Sequence, residues 1–158
     1  KVAVFNENGE ELLLRKGALI AYLYAVDELF PVSLSRKVVI KEYADKLLLS
    51  GTLVAKMERN TLIGLAAGYT ENLPETNMAY LALAGVRSEN QHHGLGSLLV
   101  KQFVSIANQS GAKGLHLYTD PSNGKAIAMY QKLGFKQICV PGDPRKGDVH
   151  FELLFDRS

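Results

Sequence analysis

The sequence predicts one α/β domain in which helices flank a mixed central sheet of about six to seven strands. A length of 158 residues is typical of a single domain with a substantial core, and residues 1–158 are assigned to one domain. Hydrophobic residues make up 47% of the chain, which excludes a disordered protein. The apolar patterns indicate two helices, a meander of strands and then strands alternating with helices, an order typical of α/β folds.

The first third of the chain is predicted to be mostly helical. Pro31 ends the first helix and residues 32–35 form a linker, because proline removes a backbone donor and clashes with the preceding turn. Gly17 can divide this helix, and Gly51 ends the second one. A short strand and two helices are therefore predicted at residues 1–6, 10–30 and 39–49.

Alternating and apolar runs predict a strand-rich remainder. Arg59 and Asn60 form the turn of a hairpin, and Gly111 and Gly134 cap helices. Helices are predicted at residues 95–109 and 123–133. Strands are predicted at residues 52–58, 61–70, 78–86, 114–119, 135–140 and 149–155.

Composition excludes several classes of partner. The net charge is only +2 and is spread without blocks of like sign, so no nucleic-acid interface is predicted. No apolar run reaches the ~20 residues that span a bilayer, so no membrane partner is predicted. The single cysteine, Cys139, excludes an internal disulfide framework and favours a reducing compartment, so a cytoplasmic location is expected.

The segment at residues 86–97 joins a strand to an apolar helix through a Q-x-x-G-x-G loop. Such a turn directs free backbone N–H groups and the positive end of the helix dipole at one point, which favours an anion. Gly94 and Gly96 allow a phosphate to approach where a Cβ would block it. The third glycine of a dinucleotide fingerprint is replaced by Leu99, and no P-loop lysine is present. A phosphate-bearing ligand is therefore predicted, held by neither of those motifs.

A second motif lies further along the chain. Asn123 is followed seven residues later by Tyr130, and Leu133-Gly134-Phe135 ends that predicted helix. Together with the Q-x-x-G-x-G loop, this motif resembles the GNAT-type N-acetyltransferase superfamily, in which the two signatures occur in this order. The resemblance covers residues 52–140 best. It implies the GNAT fold with a mixed, splayed central sheet, a donor role for acetyl-coenzyme A, and transfer of the acetyl group to an amine.

The resemblance also assigns roles to residues. It implies that Ala84, Gly85 and Val86 pair with the pantetheine chain, and Gly85 suits a bulge or a splay in the strand. Asn123 contacts the cofactor as well as capping its helix, and Tyr130 is the acid that protonates the leaving thiolate. The pyrophosphate is expected on Gln91, His92, His93, Gly94, Leu95, Gly96 and Ser97.

The residue that deprotonates the amine is left open. In the resembled family a Glu often lies five residues before the Asn, whereas this chain has Tyr118 there. Glu71, acting through a water, is the preferred candidate because Glu71 and Tyr80 are expected on neighbouring strands near the splay. The strand at residues 114–119 turns His116 and Tyr118 to one face. The alternatives to Glu71 are Tyr69, Tyr80, His116, Tyr118 and His150.

Acceptor and assembly are less constrained by the sequence. A small amine or an amino-sugar nucleotide is the leading acceptor, with a peptide or protein amine as the alternative. A non-catalytic acyl-coenzyme A sensor is a third reading, motivated by Tyr118 at the expected base position. A homodimer is compatible with the sequence. No metal site is predicted, because His92 and His93 are adjacent and lack further ligands at metal-binding spacing.

Overall fold

The computed structural model describes residues 3–91 and 93–156. The strands are β1 (Ala3–Phe5), β2 (Thr52–Glu58), β3 (Thr61–Tyr69), β4 (Met78–Val86), β5 (Gly114–Thr119), β6 (Lys136–Ile138) and β7 (Val149–Leu154). The helices are α1 (Lys16–Val26), α2 (Ile40–Ser50), α3 (Leu95–Gln109) and α4 (Gly124–Lys132). These elements confirm the predicted mixed α/β class.

The strands form one sheet in the order β1-β2-β3-β4-β5-β7-β6. Strand β4 is antiparallel to β3 and parallel to β5. The pairing between β4 and β5 runs only from Met78 to Leu81 on β4. The strands separate beyond that point, and the splay leaves the end of β4, from Ala82 to Val86, without a ladder to β5.

Helices cover both faces of the sheet. Helices α1 and α2 pack on one face, over buried residues such as Leu53 and Leu65. Helices α3 and α4 cover the other face, over Leu115, Leu117 and Phe151. Two apolar cores on opposite faces explain why the central strands have nearly continuous apolar runs.

Strand β4 contains a β-bulge. Ala67 pairs with Leu83 and Gly68 pairs with Leu81, so Ala82 is the extra residue. Because of this insertion, Ala79 and Leu81 face the α3 core, whereas Leu83 faces the α1 core. The bulge therefore lies at Ala82, and Gly85, which the sequence suggested for a bulge or a splay, lies in the splayed end of the strand.

Local sequence accounts for the turns on which the site depends. Arg59 adopts a positive φ of 59° in the two-residue turn between β2 and β3. The Asn123 side chain accepts a hydrogen bond from the Ala126 N–H at 3.3 Å and so caps α4. Gly134, with a φ of +99°, ends the same helix in the left-handed conformation that glycine favours.

The first helix is shorter than predicted. The chain from Glu11 to Arg15 is extended, since Phe5 forms a bridge with Glu11 and the Leu12 N–H donates to the Val4 carbonyl at 3.0 Å. Pairing with β1 thus takes precedence over helical periodicity in this segment. Helix α1 begins at Lys16, and Gly17 lies in its first turn rather than dividing it.

Candidate active site

Two adjoining clefts lie where β4 and β5 separate. The first, here called the loop cleft, has a volume of about 450 Å³ and is lined by the end of β4, the 90–97 loop and the start of α4. The second, the tyrosine cleft, has a volume of about 300 Å³ and includes five tyrosines in its lining. Phe30, Ala84, Asn123 and Ala126 line both clefts, so the two spaces meet at the splayed end of β4.

The loop cleft contains the amino terminus of α3. Gly94 precedes the helix with a φ of +73°, a left-handed conformation that disfavours a side chain. The first helical hydrogen bond is donated by the Leu98 N–H to the Gly94 carbonyl, so the N–H groups of Leu95, Gly96 and Ser97 precede it. No side chain caps them within the described residues. These donors, and the helix dipole behind them, fit a phosphate group.

The remaining predicted loop residues have different surroundings. Gln91 lines the loop cleft, but its side-chain amide donates to the Val86 carbonyl at 3.0 Å and so fastens the loop to β4. His93 is exposed and lies outside the lining of the cleft. His92 was also predicted here, and it lies outside the described residues.

Ala84, Gly85 and Val86 form the β4 wall of the loop cleft. Gly85 is held from the other side of the sheet, because the Tyr22 hydroxyl donates to its carbonyl oxygen. A Cβ at Gly85 would lie 3.1 Å from that hydroxyl, so the glycine allows a close approach of α1 to β4.

Helix α4 contributes residues to both clefts. Asn123 and Lys125 line the loop cleft, and Tyr130 lines the tyrosine cleft. The sequence analysis did not predict Lys125, although an exposed cation two residues after Asn123 is suited to a phosphate. Tyr130 is 6% exposed and packs on Phe135 and Phe151. Burial raises the pKa of the Tyr130 phenol well above its usual value, so the phenol stays protonated.

The tyrosine cleft combines aromatic rings with cations. Arg145 donates to the Tyr80 hydroxyl at 3.3 Å, and its guanidinium lies 4.9 Å from the Tyr118 ring centroid. The Lys46 ammonium lies over the Tyr69 ring at 5.6 Å from the centroid. The Tyr69 hydroxyl is buried and has no hydrogen-bond partner among the described residues. This cleft therefore presents both positive charge and an unpaired phenol.

A chain of hydrogen bonds lies beside the tyrosine cleft. The His116 Nδ1 atom is 2.9 Å from His150 Nε2, and His150 Nδ1 is 2.8 Å from Asp143 Oδ2. The Tyr118 hydroxyl donates to Asp143 Oδ1 at 2.9 Å. The Tyr80 ring, which lines the cleft, lies 5.0 Å from the His116 ring between centroids. Sequence reasoning named both histidines but missed Asp143, which is 25 residues from Tyr118 in a segment that reads as a turn.

Hydrogen bonding and burial shift the pKa values of this cluster. A backbone hydrogen bond from Arg145, with bonds from Tyr118 and His150, lowers the pKa of Asp143. Burial, together with the nearby His150, lowers the pKa of His116. Burial and the bond to Asp143 raise the pKa of Tyr118 to about 12. At neutral pH Asp143 is therefore ionised, His116 is neutral and Tyr118 is protonated.

The register contradicts the position expected for Glu71. Tyr69 pairs with Tyr80 near the start of β4, and Glu71 follows beyond that pair, away from the splayed end. Glu71 is exposed and lines a separate cavity with Phe5 and Leu48. The prediction that Glu71 and Tyr80 lie together near the splay is therefore wrong, because β3 runs antiparallel to β4 and carries Glu71 past the opposite end.

Neither a membrane-spanning helix nor a cluster of metal ligands is found in residues 3–91 and 93–156. Across this part of the chain, no helix is long and apolar enough to cross a bilayer. The same residues contain no group of three or more His, Cys, Asp or Glu that could hold a metal ion.

The sequence model of the Acetyltransferase (GNAT) family matches residues 20–135. This chain belongs to that family. The match includes α2 and the part of α1 from residue 20 onward, as well as the segment that carries the two motifs, so it begins closer to the amino terminus than the 52–140 core that the motifs indicated.

Individual relatives match over shorter stretches. N-alpha-acetyltransferase 60 of Danio rerio is 32% identical over 93 residues, which are 55% of this chain and 38% of that protein. Mycothiol acetyltransferase of Paenarthrobacter aurescens is 36% identical over 62 residues, which are 39% of this chain and 19% of that protein. The chain therefore spans well under half the length of these relatives.

The fold is also found in solved structures. The PaiA N-acetyltransferase of Thermoplasma acidophilum, solved in complex with coenzyme A, has a TM-score of 0.67 to this chain at 20% identity. The alignment covers 89% of this chain and 92% of that one. At this identity the likeness establishes the GNAT fold.

Proposed function

We propose that this chain is an acetyl-coenzyme A-dependent N-acetyltransferase that acts by direct attack of an amine. The observation that carries the proposal is the junction of the two clefts at Ala84 and Asn123. A helix terminus that is suited to an anion lies on one side of this junction, and a polar cleft lined by tyrosines and cations lies on the other. Membership of the GNAT family supports the same activity.

The residues of the loop cleft fit acetyl-coenzyme A. Its pyrophosphate would be held by the N–H groups of Leu95, Gly96 and Ser97, with Lys125 nearby. The splayed end of β4, from Ala84 to Val86, has no ladder to β5, so its remaining backbone groups would pair with the pantetheine amides. The Gly85 and Val86 carbonyls already accept hydrogen bonds from Tyr22 and Gln91. When bound, acetyl-coenzyme A supplies the acetyl group as a thioester.

Two residues would handle the protons of the transfer. His116 would accept the proton of the substrate ammonium through a water, since its pKa is lowered and it is neutral at pH 7. The Tyr130 hydroxyl would donate a proton to the departing sulfur, because burial keeps the phenol protonated. In the balanced transfer, the C–N bond forms, the C–S bond breaks and one proton leaves to solvent. His116 takes the place that the sequence analysis gave to Glu71.

The charge of the tyrosine cleft favours an acceptor that carries an anionic group. Lys37, Lys46 and Arg145 line the cleft, and Asp120 is the carboxylate beside them. An ammonium alone would be repelled by these cations, whereas a phosphate or carboxylate on the same molecule would bind them. A small amine with such a group, for example an amino-sugar nucleotide, is the proposed acceptor.

The amino terminus of a peptide is a second candidate acceptor. The 32% identity to a protein named N-alpha-acetyltransferase 60 favours it. We also propose that the protein works in the cytoplasm, where the exposed thiol of Cys139 would remain reduced.

The proposal is tested by calorimetric titration with acetyl-coenzyme A, followed by assay of thiol release with anionic amines, neutral amines and short peptides. Binding and acceptor-dependent release, largest with anionic amines, would support both the activity and the acceptor class. Release only with peptides would overturn the small-amine acceptor. Binding without release from any acceptor would favour a sensor, and absence of binding would overturn the proposal as a whole.

A further inference from the structure

The hydrogen-bond chain beside the tyrosine cleft has a defined direction. The Asp143 side chain accepts the Tyr118 O–H and the Arg145 backbone N–H on Oδ1, and its Oδ2 atom faces His150 Nδ1. A carboxylate only accepts hydrogen bonds, so the proton between Asp143 and His150 belongs to His150 Nδ1. The side chains of His150 and Asp143 are only 11% and 10% exposed, so water competes little for these bonds.

The proton position on His150 decides that on His116. A neutral His150 with its proton on Nδ1 has a bare Nε2, which must accept the hydrogen bond at 2.9 Å from His116 Nδ1. His116 is then protonated on Nδ1, and the lone pair of a neutral ring is left on Nε2. A base needs that lone pair, and the opposite tautomer would lack it at Nε2.

We propose that Asp143 and His150 are positioning residues that hold His116 in the Nδ1–H tautomer, with Nε2 ready to accept a proton. This inference rests on the proposed function, because it assigns His116 as the base of that reaction. Asp143 precedes β7 in the segment that also carries Arg145, a cation of the tyrosine cleft. The segment that lines the tyrosine cleft would thereby also determine which ring nitrogen of the base carries the proton.

Other groups face His116 and bear on its titration. The Tyr80 and Tyr118 rings pack beside it, His150 is hydrogen-bonded to it, and Glu152 is its cross-strand partner on β7. Asp143 raises the pKa of His116, whereas burial and His150 lower it. Asp143→Asn should therefore move the low-pH limb of the rate profile to lower pH, because the protonated ring loses its carboxylate partner.

The decisive measurement is the tautomer itself. Long-range ¹⁵N–¹H correlation spectra of the histidine rings at neutral pH should give the Nδ1–H form for His116 and His150. In Asp143→Asn, the amide can donate to His150 Nδ1, so both rings should switch toward Nε2–H. The native rings in the Nε2–H form would overturn the proposal, and this readout stands even if no acetyl transfer is found.

Kinetics give a second readout. Asp143→Asn should lower kcat by about 100-fold on the plateau above the low-pH limb, since a wrongly protonated base is not rescued by alkali, while acetyl-coenzyme A affinity stays the same. Asp148→Asn is the matched control, because it breaks the Arg145 ion pair on the same segment and leaves His150 paired. It should change the acceptor KM but neither the pH midpoint nor the tautomers. Native kcat in a folded Asp143→Asn would overturn the proposal.

Discussion

The loop cleft and the tyrosine cleft are built from different parts of the polypeptide. In the loop cleft, the groups that fit a phosphate are backbone N–H groups of one continuous segment, at the start of α3. In the tyrosine cleft, the polar groups are side chains from α2, β3, β4, β5 and the segment before β7. A backbone site changes little when side chains vary, whereas a side-chain site changes with each substitution. The first cleft therefore suits a constant donor, and the second suits a variable acceptor.

The largest expected effect comes from Tyr130, the residue of α4 that lines only the tyrosine cleft. Tyr130→Phe should lower kcat by about 100-fold, because it removes the proposed acid and leaves the packing on Phe135 and Phe151. Affinity for acetyl-coenzyme A should stay within about 2-fold, since the phosphate donors are backbone groups. Single-turnover assays and calorimetry measure the two quantities. An unchanged kcat would remove Tyr130 from the mechanism.

A glycine substitution tests the backbone nature of the loop cleft. Gly94→Ala should weaken acetyl-coenzyme A binding by about 10-fold, because an alanine at positive φ is strained by 1–2 kcal/mol and the loop would relax. Gly111→Ala is the matched control, with a φ of +92° and open space around it but a position at the other end of α3. It should lower thermal stability similarly and leave the dissociation constant unchanged. Equal losses of affinity in both variants would contradict the assignment.

The wall of the tyrosine cleft that the α1–α2 connection forms depends on a buried carboxylate. Asp27 is 8% exposed and accepts the Ser35 N–H and O–H, each at 2.7 Å, which holds the α1–α2 connection against the tyrosine cleft. Asp27→Ala should raise the acceptor KM about 5-fold and lower the free energy of unfolding by about 2 kcal/mol, since both Ser35 donors lose their partner. Asp27→Asn can still accept one bond and donate the other, so it should be milder. Steady-state kinetics and chemical denaturation distinguish the variants.

The smallest effect is expected outside both clefts. Gly17 lies in the first turn of α1 with nothing within 4 Å of a Cβ placed there. Gly17→Ala should raise the free energy of unfolding by about 0.5–1 kcal/mol, because it reduces the entropy of the unfolded chain. Both kinetic constants should be unchanged. A change in acceptor KM would indicate that the start of α1 moves during catalysis.

The contrast between the loop cleft and the tyrosine cleft also explains which features could be predicted from the sequence. The bounds of β2, β4, β5 and α3 and the phosphate-fitting loop follow from local patterns, because periodicity, glycines and caps act over a few residues. The placement of Glu71 does not, since it depends on which strands pair and in what register. The contact between Asp143 and His150 depends on how the segment before β7 folds back on itself, and no local pattern in the sequence encodes it.

The extra residue at Ala82 is the position at which β4 could lose one codon without exchanging its two faces. Before it, odd-numbered side chains face α3, and after it they face α1. A deletion of Ala82 would close the bulge and bring Leu83 next to Leu81, so Leu83 would keep its pairing with Ala67 and would still face α1. One missing alanine would thus remove the local kink before the junction of the clefts, while the other side chains of β4 kept their faces of the sheet.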